Sequence, residues 1–494
     1  MIKPTLDEFR ERAKRGNLVP VYQEILADLE TPVSVYRKLA TSEHSFLLES
    51  VENGEQLGRY SFLGADPLLI FTCRGNDQAL DAQPGPPDVV TGDTPIDTLR
   101  NIMAAYKPVE DPSLPPFTGG AVGYMAHDAV RYFENIPDSN PDELGVPDGY
   151  FMVADTLVAF DHVKRRMVLI ANAHVGTDGP DAAYEAACQR IDALRERLRQ
   201  PAPPQKAPAR PPRKLEPKHN FTQAEYEDVV RRAKEYIAAG DIFQVVPSQR
   251  IGVDITCDPF DIYRAQRAIN PSPYMFYLRC GEDIAIAGSS PEILVRCDSH
   301  GRVTLRPIAG TRPRGATPEE DKALEEDLLA DGKEIAEHIM LVDLGRNDVG
   351  RVCKYGTVAV DRFKFIERYS HVMHIVSNVV GELEDGKDAI DVLGAAFPAG
   401  TLTGAPKIRA MEIIDELENV RRNIYGGAVV YFGFGGAMDS AITIRTAVIR
   451  GGKAYAQAGG GVVADSDPAA EWQETMNKAR SVLRAIEWAE NGLE

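Results

Sequence analysis

Residues 441–459 read AITIRTAVIRGGKAYAQAG and carry the clearest folding signal in the chain. Apolar and polar side chains alternate through 441–449 and again through 454–459, which predicts two strands. Between them lies Arg450-Gly451-Gly452-Lys453, a turn of hairpin length, and so short a turn joins antiparallel neighbours. We therefore expect an antiparallel sheet in this part of the chain.

The same patterns predict further strands and helices on both sides of this hairpin. The predicted strands are residues 45–48, 68–72, 167–170, 242–246, 284–287, 303–307 and 428–432. The predicted helices are residues 181–198, 222–238 and 331–348, with one more beginning at Asp467-Pro468. Because strands and helices do not alternate regularly, an α+β fold is favoured over a doubly wound one.

Composition excludes several classes of partner. The chain has 494 residues and a formal net charge of −19, which argues against nucleic acid or an anionic membrane as the main partner. No window approaches the roughly 18 consecutive apolar residues of a membrane span, and the N-terminus has no apolar leader. The six cysteines are scattered without a CxxC pair, so we expect a reducing cytoplasm and no zinc clip.

One proline-rich segment divides the chain. Residues 200–214 read QPAPPQKAPARPPRK, with six prolines among fifteen residues, and proline resists both helix and central strand. We predict a linker over 200–216, an N-terminal domain over 1–199 and a C-terminal domain over 217–494.

The predicted helix over 331–348, DGKEIAEHIMLVDLGRND, is apolar around nearly its whole circumference, as in a buried helix. Glu334, Glu337 and His338 nevertheless fall in one stripe. Two buried carboxylates require a cation or a proton, and oxygen ligands suit Mg²⁺. The alternative is a solvated first turn.

Gly459-Gly460-Gly461 follows a predicted strand and precedes the last helix. Backbone amides at three glycines can close on a carboxylate or phosphate, and the alternative is a flexible turn. On the helix that follows, Glu471 and Glu474 lie opposite the apolar stripe, so the pattern alone predicts that they are solvated.

Arg445 shares a predicted strand face with Thr443 and Ala447, which leave room for a bidentate contact with a carboxylate. His371 and His374 lie in a strand-like stretch, and either is a candidate for acid–base work, although such histidines are more often structural. The residues alone thus predict an acidic, Mg²⁺-binding site facing an anion-binding site, and they name no substrate.

Long motifs across nearly the whole chain resemble the family of large, chorismate-binding subunits (component I) of anthranilate synthases. They are GDIFQVVPSQR (240–250), NPSPYMFYL (270–278), SSPEILV (289–295), PIAGTRPRG (307–315), EHIMLVDLGRND (337–348), PAGTLTGAPK (398–407) and AGGGVVADSDPAAEWQET (458–475). The resemblance implies an α+β sandwich of large antiparallel sheets with helices outside. It also implies a carbon–oxygen lyase acting on chorismate, in the first step of tryptophan biosynthesis.

The resemblance assigns roles to matching positions. It makes Glu337 and Glu474 the Mg²⁺ ligands, against the solvated interpretation of Glu474, with Glu334 and Glu471 as further carboxylates of the same pocket. The metal would hold the ring carboxylate of chorismate. The residues implied to bind the enolpyruvyl carboxylate or to line the site are Gly310, Thr311, Tyr425, Arg445, Gly459, Gly460 and Gly461.

The implied catalytic residues are His374, Thr401 and Glu292, the last protonating the departing C4 hydroxyl. Ammonia would add at C2, and loss of the C2 proton and of pyruvate would then give anthranilate. Relatives that use water carry a lysine where this chain has Gln244, and relatives that form a covalent adduct carry one where it has Ala309. Both differences point to direct addition of ammonia.

The resemblance also implies two partners. The chain has no recognisable glutamine amidotransferase half, so a separate amidotransferase subunit would supply ammonia within a hetero-oligomer. Tryptophan would inhibit by binding at Leu48, Glu49, Ser50, Pro273, Tyr274 and Met275, with Glu49 taking its ammonium group.

Two alternatives remain at this point. One is a relative of the phenazine type that stops at aminodeoxyisochorismate. The other is a catalytically silent tryptophan-binding regulator, which would be expected to have lost the metal ligands, yet Glu337 and Glu474 are both present.

Overall fold

The computed structural model describes residues 1–40, 42–50, 58–82, 89–204, 214–369 and 372–493. The strands are β1 Ile2–Lys3, β2 Leu18–Leu26, β3 His44–Glu49, β4 Tyr60–Ala65, β5 Leu69–Arg74, β6 Asp77–Ala82, β7 Gly120–Met125, β8 Gly149–Ala154, β9 Thr156–Asp161, β10 Arg166–His174, β11 Lys218–His219, β12 Gln244–Val245, β13 Ser248–Asp254, β14 Tyr274–Cys280, β15 Ile284–Ser290, β16 Ile293–Cys297, β17 Arg302–Leu305, β18 Ile308–Pro313, β19 Ala359–Arg368, β20 Val372–Glu382, β21 Gly404–Ala405, β22 Ala428–Gly433, β23 Met438–Ile442, β24 Thr446–Arg450 and β25 Lys453–Gly459. The helices are α1 Leu6–Ala13, α2 Pro32–Leu39, α3 Pro95–Ala104, α4 Gly179–Arg199, α5 Gln223–Ala239, α6 Pro259–Ile269, α7 Pro318–Ala330, α8 Gly332–Gly350, α9 Ala389–Ala396, α10 Gly400–Thr403, α11 Lys407–Leu417 and α12 Pro468–Glu490, with a 3₁₀ turn at His127–Tyr132.

Two large antiparallel sheets form the centre of the molecule. The first sheet has the strand order β1-β2-β10-β9-β4-β3-β14-β15-β24-β25-β13-β11. The second has the order β18-β20-β17-β16-β23-β22-β7-β8-β5-β6, with β19 also paired to β20. Both sheets take strands from either side of the predicted linker, so the two predicted domains do not have separate sheets. Residues 205–213 of that linker lie outside the described residues.

Three layers of apolar side chains hold this arrangement together. Between the sheets, Phe46 and Phe276 of the first sheet meet Tyr124 and Met152 of the second. The outer face of the first sheet is covered by α1, α2, α4, α6 and α12, and that of the second by α3, α8 and α9. A sheet that is apolar on both faces needs such cover, because each face buries surface only against another layer.

The hairpin predicted from Arg450 to Lys453 is present: these two residues pair at the end of β24 and β25. Gly451 and Gly452 both have positive φ, 57° and 71°, as a two-residue turn with the twist of its strands requires. The single strand predicted over 441–449 is wrong. The chain leaves the second sheet after β23 and enters the first sheet at β24, so the alternating pattern spans two strands.

Among the described residues, every helix is too short or too polar to span a lipid bilayer.

Candidate active site

A cavity of about 460 Å³ collects most of the residues singled out in the sequence. Its walls come from β12, the residues after β15, β18, the first turns of α8, β20, α10, and the chain around β24, β25 and α12. The predicted residues that line it are Gln244, Glu292, Ala309, Gly310, Thr311, Glu334, Glu337, His374, Thr401, Tyr425, Arg445, Gly459, Gly461, Glu471 and Glu474. Gly460 lies behind this wall, where an added Cβ would stand 2.6 Å from Glu471 Oε2.

One side of the cavity is acidic. Asp331 caps α8 by accepting hydrogen bonds from the amides of Lys333 and Glu334, so Glu334 and Glu337 fall on its first two turns. Burial, with repulsion from Glu337, raises the pKa of Glu334. From α12, Glu471 and Glu474 face the same space, and burial raises the pKa of Glu471 as well. The first turns of α8 therefore line a cavity, and the alternative of a first turn that is only solvated does not describe them.

This acidic wall has the donor chemistry of a magnesium site. Glu471 Oε1 accepts a hydrogen bond from Ser466 Oγ at 2.7 Å, but its Oε2 is buried without any partner in the described residues. An oxygen-only donor set with an unsatisfied carboxylate oxygen suits a hard cation. No three acidic, histidine or cysteine side chains in the described ranges already converge on one point. The unsatisfied Oε2 of Glu471 is the observation that fits a hard cation such as Mg²⁺, which can complete its shell with other oxygens.

The two expected metal ligands have different surroundings. Gln244 Nε2 donates to Glu337 Oε1 at 3.4 Å. Glu474 Oε1 pairs with Lys478 Nζ at 2.7 Å, and its side chain is 48% exposed. The pattern-based prediction of a solvated side chain agrees with the half-exposed Glu474 but is wrong for Glu471, which is buried and hydrogen-bonded to Ser466. Both side chains line the cavity, and their roles toward a metal stay predictions. Lys478 was missed as a lining residue, although its i, i+4 spacing from Glu474 was a usable signal.

The opposite side of the cavity is set up for an anion. Arg445 lies between β23 and β24 with a φ of 49°, not on a strand face as predicted. Within the described residues its guanidinium has no ion pair and no hydrogen-bond partner, and burial lowers its pKa. A half-buried cation without a partner is costly, which indicates that the position is built to receive an anion.

The glycines beside Arg445 are required by space. A Cβ at Gly459 would lie 2.7 Å from the carbonyl oxygen of Pro247 and 3.1 Å from Tyr425 Oη, and one at Gly461 would lie 2.6 Å from Gln244 Nε2. Any side chain at these positions would push into the wall of the cavity. These glycines thus allow the backbone to pack closely against neighbouring segments, and their binding of an anion stays a prediction.

His374 has a defined tautomer in this geometry. Its Nδ1 lies 2.9 Å from the carbonyl oxygen of Gly310 and 3.1 Å from Thr311 Oγ1. A carbonyl oxygen only accepts, so Nδ1 carries the proton and Nε2 has the free lone pair. Burial lowers the pKa of His374, so the ring is neutral and able to accept a proton. The other candidate histidine, His371, lies outside the described residues.

Glu292 follows β15 and faces both Thr401 and Arg445. Thr401 Oγ1 donates a hydrogen bond to Glu292 Oε1 at 3.0 Å. Burial raises the pKa of Glu292 to about 7, against the opposing effects of Thr401 and of the Arg445 and Lys478 charges. A carboxyl group with such a pKa holds a proton in about half of the molecules at pH 7 and can deliver it to a leaving group.

A second cavity, of about 320 Å³, lies between the two sheets and is lined by all six residues predicted for tryptophan. Ser50 Oγ is buried there without a partner in the described part of the chain. The carboxylate of Glu49 is ion-paired with Arg267 at 3.1 Å and hydrogen-bonded to Tyr263, so its contact with the ammonium group of tryptophan stays a prediction. Side chains alternate along a strand, so Glu49 points to the helix layer while its neighbours face the cavity.

Comparison with known proteins shows the family and the fold of this chain. A family model described as chorismate binding enzyme matches residues 43–484. "Anthranilate synthase component 1" of Acetivibrio thermocellus is 49% identical, covering 99% of both chains, and that of Pseudomonas putida is 50% identical, covering 98% of both. The crystal structure of anthranilate synthase component I from Streptococcus pneumoniae TIGR4 superimposes with a TM-score of 0.76 at 37% identity, covering 93% of this chain and 98% of that one. The expected α+β sandwich with helices outside is confirmed.

Proposed function

This chain belongs to the family of chorismate-binding enzymes, and on that premise we propose that it is the catalytic subunit that converts chorismate to anthranilate, a lyase reaction. The proposal includes Mg²⁺ as cofactor, a separate glutamine amidotransferase subunit as the source of ammonia, feedback inhibition by tryptophan, and a cytoplasmic location. The observation that carries it is one cavity in which a half-buried Arg445 without a hydrogen-bond partner in the described residues, the acid Glu292 and a wall of carboxylates come together.

Chorismate has two carboxylates, and each needs its own partner in a buried site. Arg445 and the backbone amides at Gly459 and Gly461 bind the enolpyruvyl carboxylate. Glu337 and Glu474 would hold Mg²⁺, which when bound supplies the positive charge that neutralises the ring carboxylate. The chain therefore separates the two negative charges of its substrate between opposite walls.

Glu292 gives its proton to the C4 hydroxyl as that group leaves, while ammonia adds at C2. His374 Nε2, which has the free lone pair, is the candidate to take up a proton in the elimination that follows. Gain of aromaticity drives the loss of pyruvate. Gln244, a neutral amide bound to Glu337, cannot activate water, and Ala309 cannot form a covalent adduct, which together support addition of ammonia.

The two alternatives are less favoured. The curated relatives that cover the chain are named for anthranilate formation, which disfavours a stop at aminodeoxyisochorismate. The presence of Glu292, His374 and the carboxylate wall in one cavity disfavours a silent regulator.

The test is to mix the purified chain with chorismate, Mg²⁺ and an ammonium salt and to follow anthranilate fluorescence. We expect a signal that requires Mg²⁺, with ammonium replacing glutamine when no partner is present. Consumption of chorismate without fluorescence would instead favour the aminodeoxyisochorismate alternative. Addition of an amidotransferase subunit should make the reaction depend on glutamine.

Feedback by tryptophan is supported by the strands that the two cavities share. β16 begins one residue after Glu292, and its Arg296 and Cys297 line the second cavity. β23 lines the same cavity from Met438 to Ala441 and leads to Arg445. A ligand that moves the two sheets apart at the second cavity shifts Glu292 and Arg445 at the other end of these strands. Such a ligand binds two states of the active site with different affinities, as inhibition at a distance requires.

Replacement of Ser50 is expected to relieve inhibition while turnover remains. The Ser50→Phe side chain fills the second cavity, and Ser50→Ala removes only the unpartnered hydroxyl. We expect Ser50→Ala to weaken inhibition by tryptophan about 10-fold, which is the cost of losing one hydrogen bond to a charged group. Ser50→Phe should weaken this inhibition further. The measurement is the tryptophan concentration that halves anthranilate formation. If tryptophan inhibits Ser50→Phe as strongly as the wild type, this cavity is not the inhibitor site.

A further inference from the structure

An ion pair lies completely inside the protein behind the active-site cavity. The side chains of Arg422 and Glu418 are each only 2% exposed, and their closest atoms are 2.6 Å apart. Burying two charges costs more free energy than the pair usually returns, so a pair of this kind needs further hydrogen bonds. The partners of those hydrogen bonds indicate what the pair does.

Arg422 uses its guanidinium to join three segments. Its Nε donates to both oxygens of Glu418, at 3.1 and 3.0 Å. Its Nη1 donates to the carbonyl oxygen of Leu402 at 2.7 Å, and its Nη2 donates to that of Val246 at 2.6 Å. Glu418 Oε1 in turn accepts hydrogen bonds from the amide and the hydroxyl of Ser248, both at 2.8 Å.

The segments that Arg422 joins carry active-site side chains. Leu402 directly follows Thr401, the hydrogen-bond partner of Glu292, and Val246 lies two residues after Gln244, the partner of Glu337. Backbone hydrogen bonds already join these two segments: β12 and β21 pair over two residues each, and the amides of Phe243 and Val246 donate to the carbonyl oxygens of Ala405 and Thr403 at 2.7 and 3.0 Å. The guanidinium adds two bonds to this connection, at the carbonyl oxygens of Leu402 and Val246.

We propose that Arg422, held by Glu418, is a positioning residue that fixes Thr401 against Glu292 and Gln244 against Glu337. This inference rests on the proposed function, in which Glu292 is the acid. Arg422 does not line the cavity and does not touch substrate. A lysine cannot replace it, because a single ammonium cannot span two carbonyl oxygens and a carboxylate in this planar geometry.

The discriminating measurement is the pH dependence of kcat. Thr401 favours the ionised form of Glu292, and the charged groups that also act on Glu292 are Arg445 and Lys478. If Arg422 holds Thr401 in place, its replacement weakens the bond from Thr401 and moves the alkaline limb of kcat to higher pH. A purely structural pair would lower stability and leave that limb where it is.

The variants are Arg422→Lys, Arg422→Met and Thr401→Val, with Arg232→Met as the control. Arg232 is 44% exposed and pairs with Glu416 on the surface. We expect Arg422→Lys to lower kcat/KM about 100-fold, the effect of a small misplacement of catalytic groups. We further expect it to move the alkaline limb upward in the wild-type background and not in the Thr401→Val background, since coupled residues are not additive.

Arg422→Lys keeps the buried charge, so it remains informative if Arg422→Met fails to fold. An unmoved alkaline limb in folded Arg422→Lys, or an equal shift in the Thr401→Val background, would overturn the proposal. The wild-type chain assayed beside the variants separates the two hypotheses: its failure to form anthranilate counts against the proposed function, whereas a difference between wild type and variant bears on Arg422.

Discussion

Glu337→Gln is expected to lower kcat/KM for chorismate by about 100- to 1,000-fold. Losses of this size are usual when a preorganised group that balances charge in a buried site is removed. Glutamine keeps the size of the side chain and its hydrogen bond to Gln244 but removes the negative charge. Its neutral amide is a poor ligand for a hard cation, so Mg²⁺ binding measured by calorimetry should weaken in parallel. Glu474→Gln should act in the same direction, because it too removes a carboxylate proposed to bind Mg²⁺. It also frees Lys478 from its ion pair.

The matched control is Glu326→Gln. Glu326 is 70% exposed on α7, 3.8 Å from Lys322, and such a surface pair contributes little. We expect its kcat/KM and its Mg²⁺ binding to stay close to those of the wild type. Glu337→Gln with wild-type Mg²⁺ affinity and turnover would show that this carboxylate is not a metal ligand.

Local patterns predicted the local structure well. The hairpin at Gly451-Gly452 is confirmed because two glycines between alternating strands leave few other geometries. The beginning of the last helix at Pro468 is confirmed as well, since Asp467 accepts the hydrogen bond that caps it. Such features depend on neighbours in sequence, which is what a pattern records.

The same patterns failed where a side chain or strand depends on distant partners. Alternation through 441–449 cannot reveal that the chain passes from one sheet to the other near Arg445, because both strands have the same period. Nor does an all-round apolar helix guarantee burial: Ile339 of α8 is 41% exposed. The motif around Glu49 likewise gave no sign that Arg267, more than 200 residues away, would pair with its carboxylate.

Glu292→Gln is expected to lower kcat by about 100- to 10,000-fold, the usual contribution of a general acid. The amide fills the same space and accepts the hydrogen bond from Thr401, but it has no proton to give to the C4 hydroxyl. In the wild type the acid form is lost as pH rises through about 7, so kcat should fall across that range. Retention of kcat in Glu292→Gln would assign the acid to another group.

Stability should report the same proton independently of chemistry. Folding raises the pKa of Glu292 from 4.5 to about 7. Between pH 4.5 and pH 7 the folded protein therefore keeps a proton on Glu292 that the unfolded chain has released. Wild-type stability from this group is therefore complete below the lower pKa and declines as pH rises to the higher one, by up to roughly 3 kcal/mol. The Glu292→Gln variant has no ionisable group at this position, so its stability does not decline in this way.

Chemical denaturation should show little difference in stability between wild type and Glu292→Gln at pH 5 and a more stable variant at pH 8. An equal gap at both pH values would mean that Glu292 ionises in the fold as it does in water. A gap that opens only at pH 8 would mean that the enzyme gives up stability to keep a protonated acid beside its substrate.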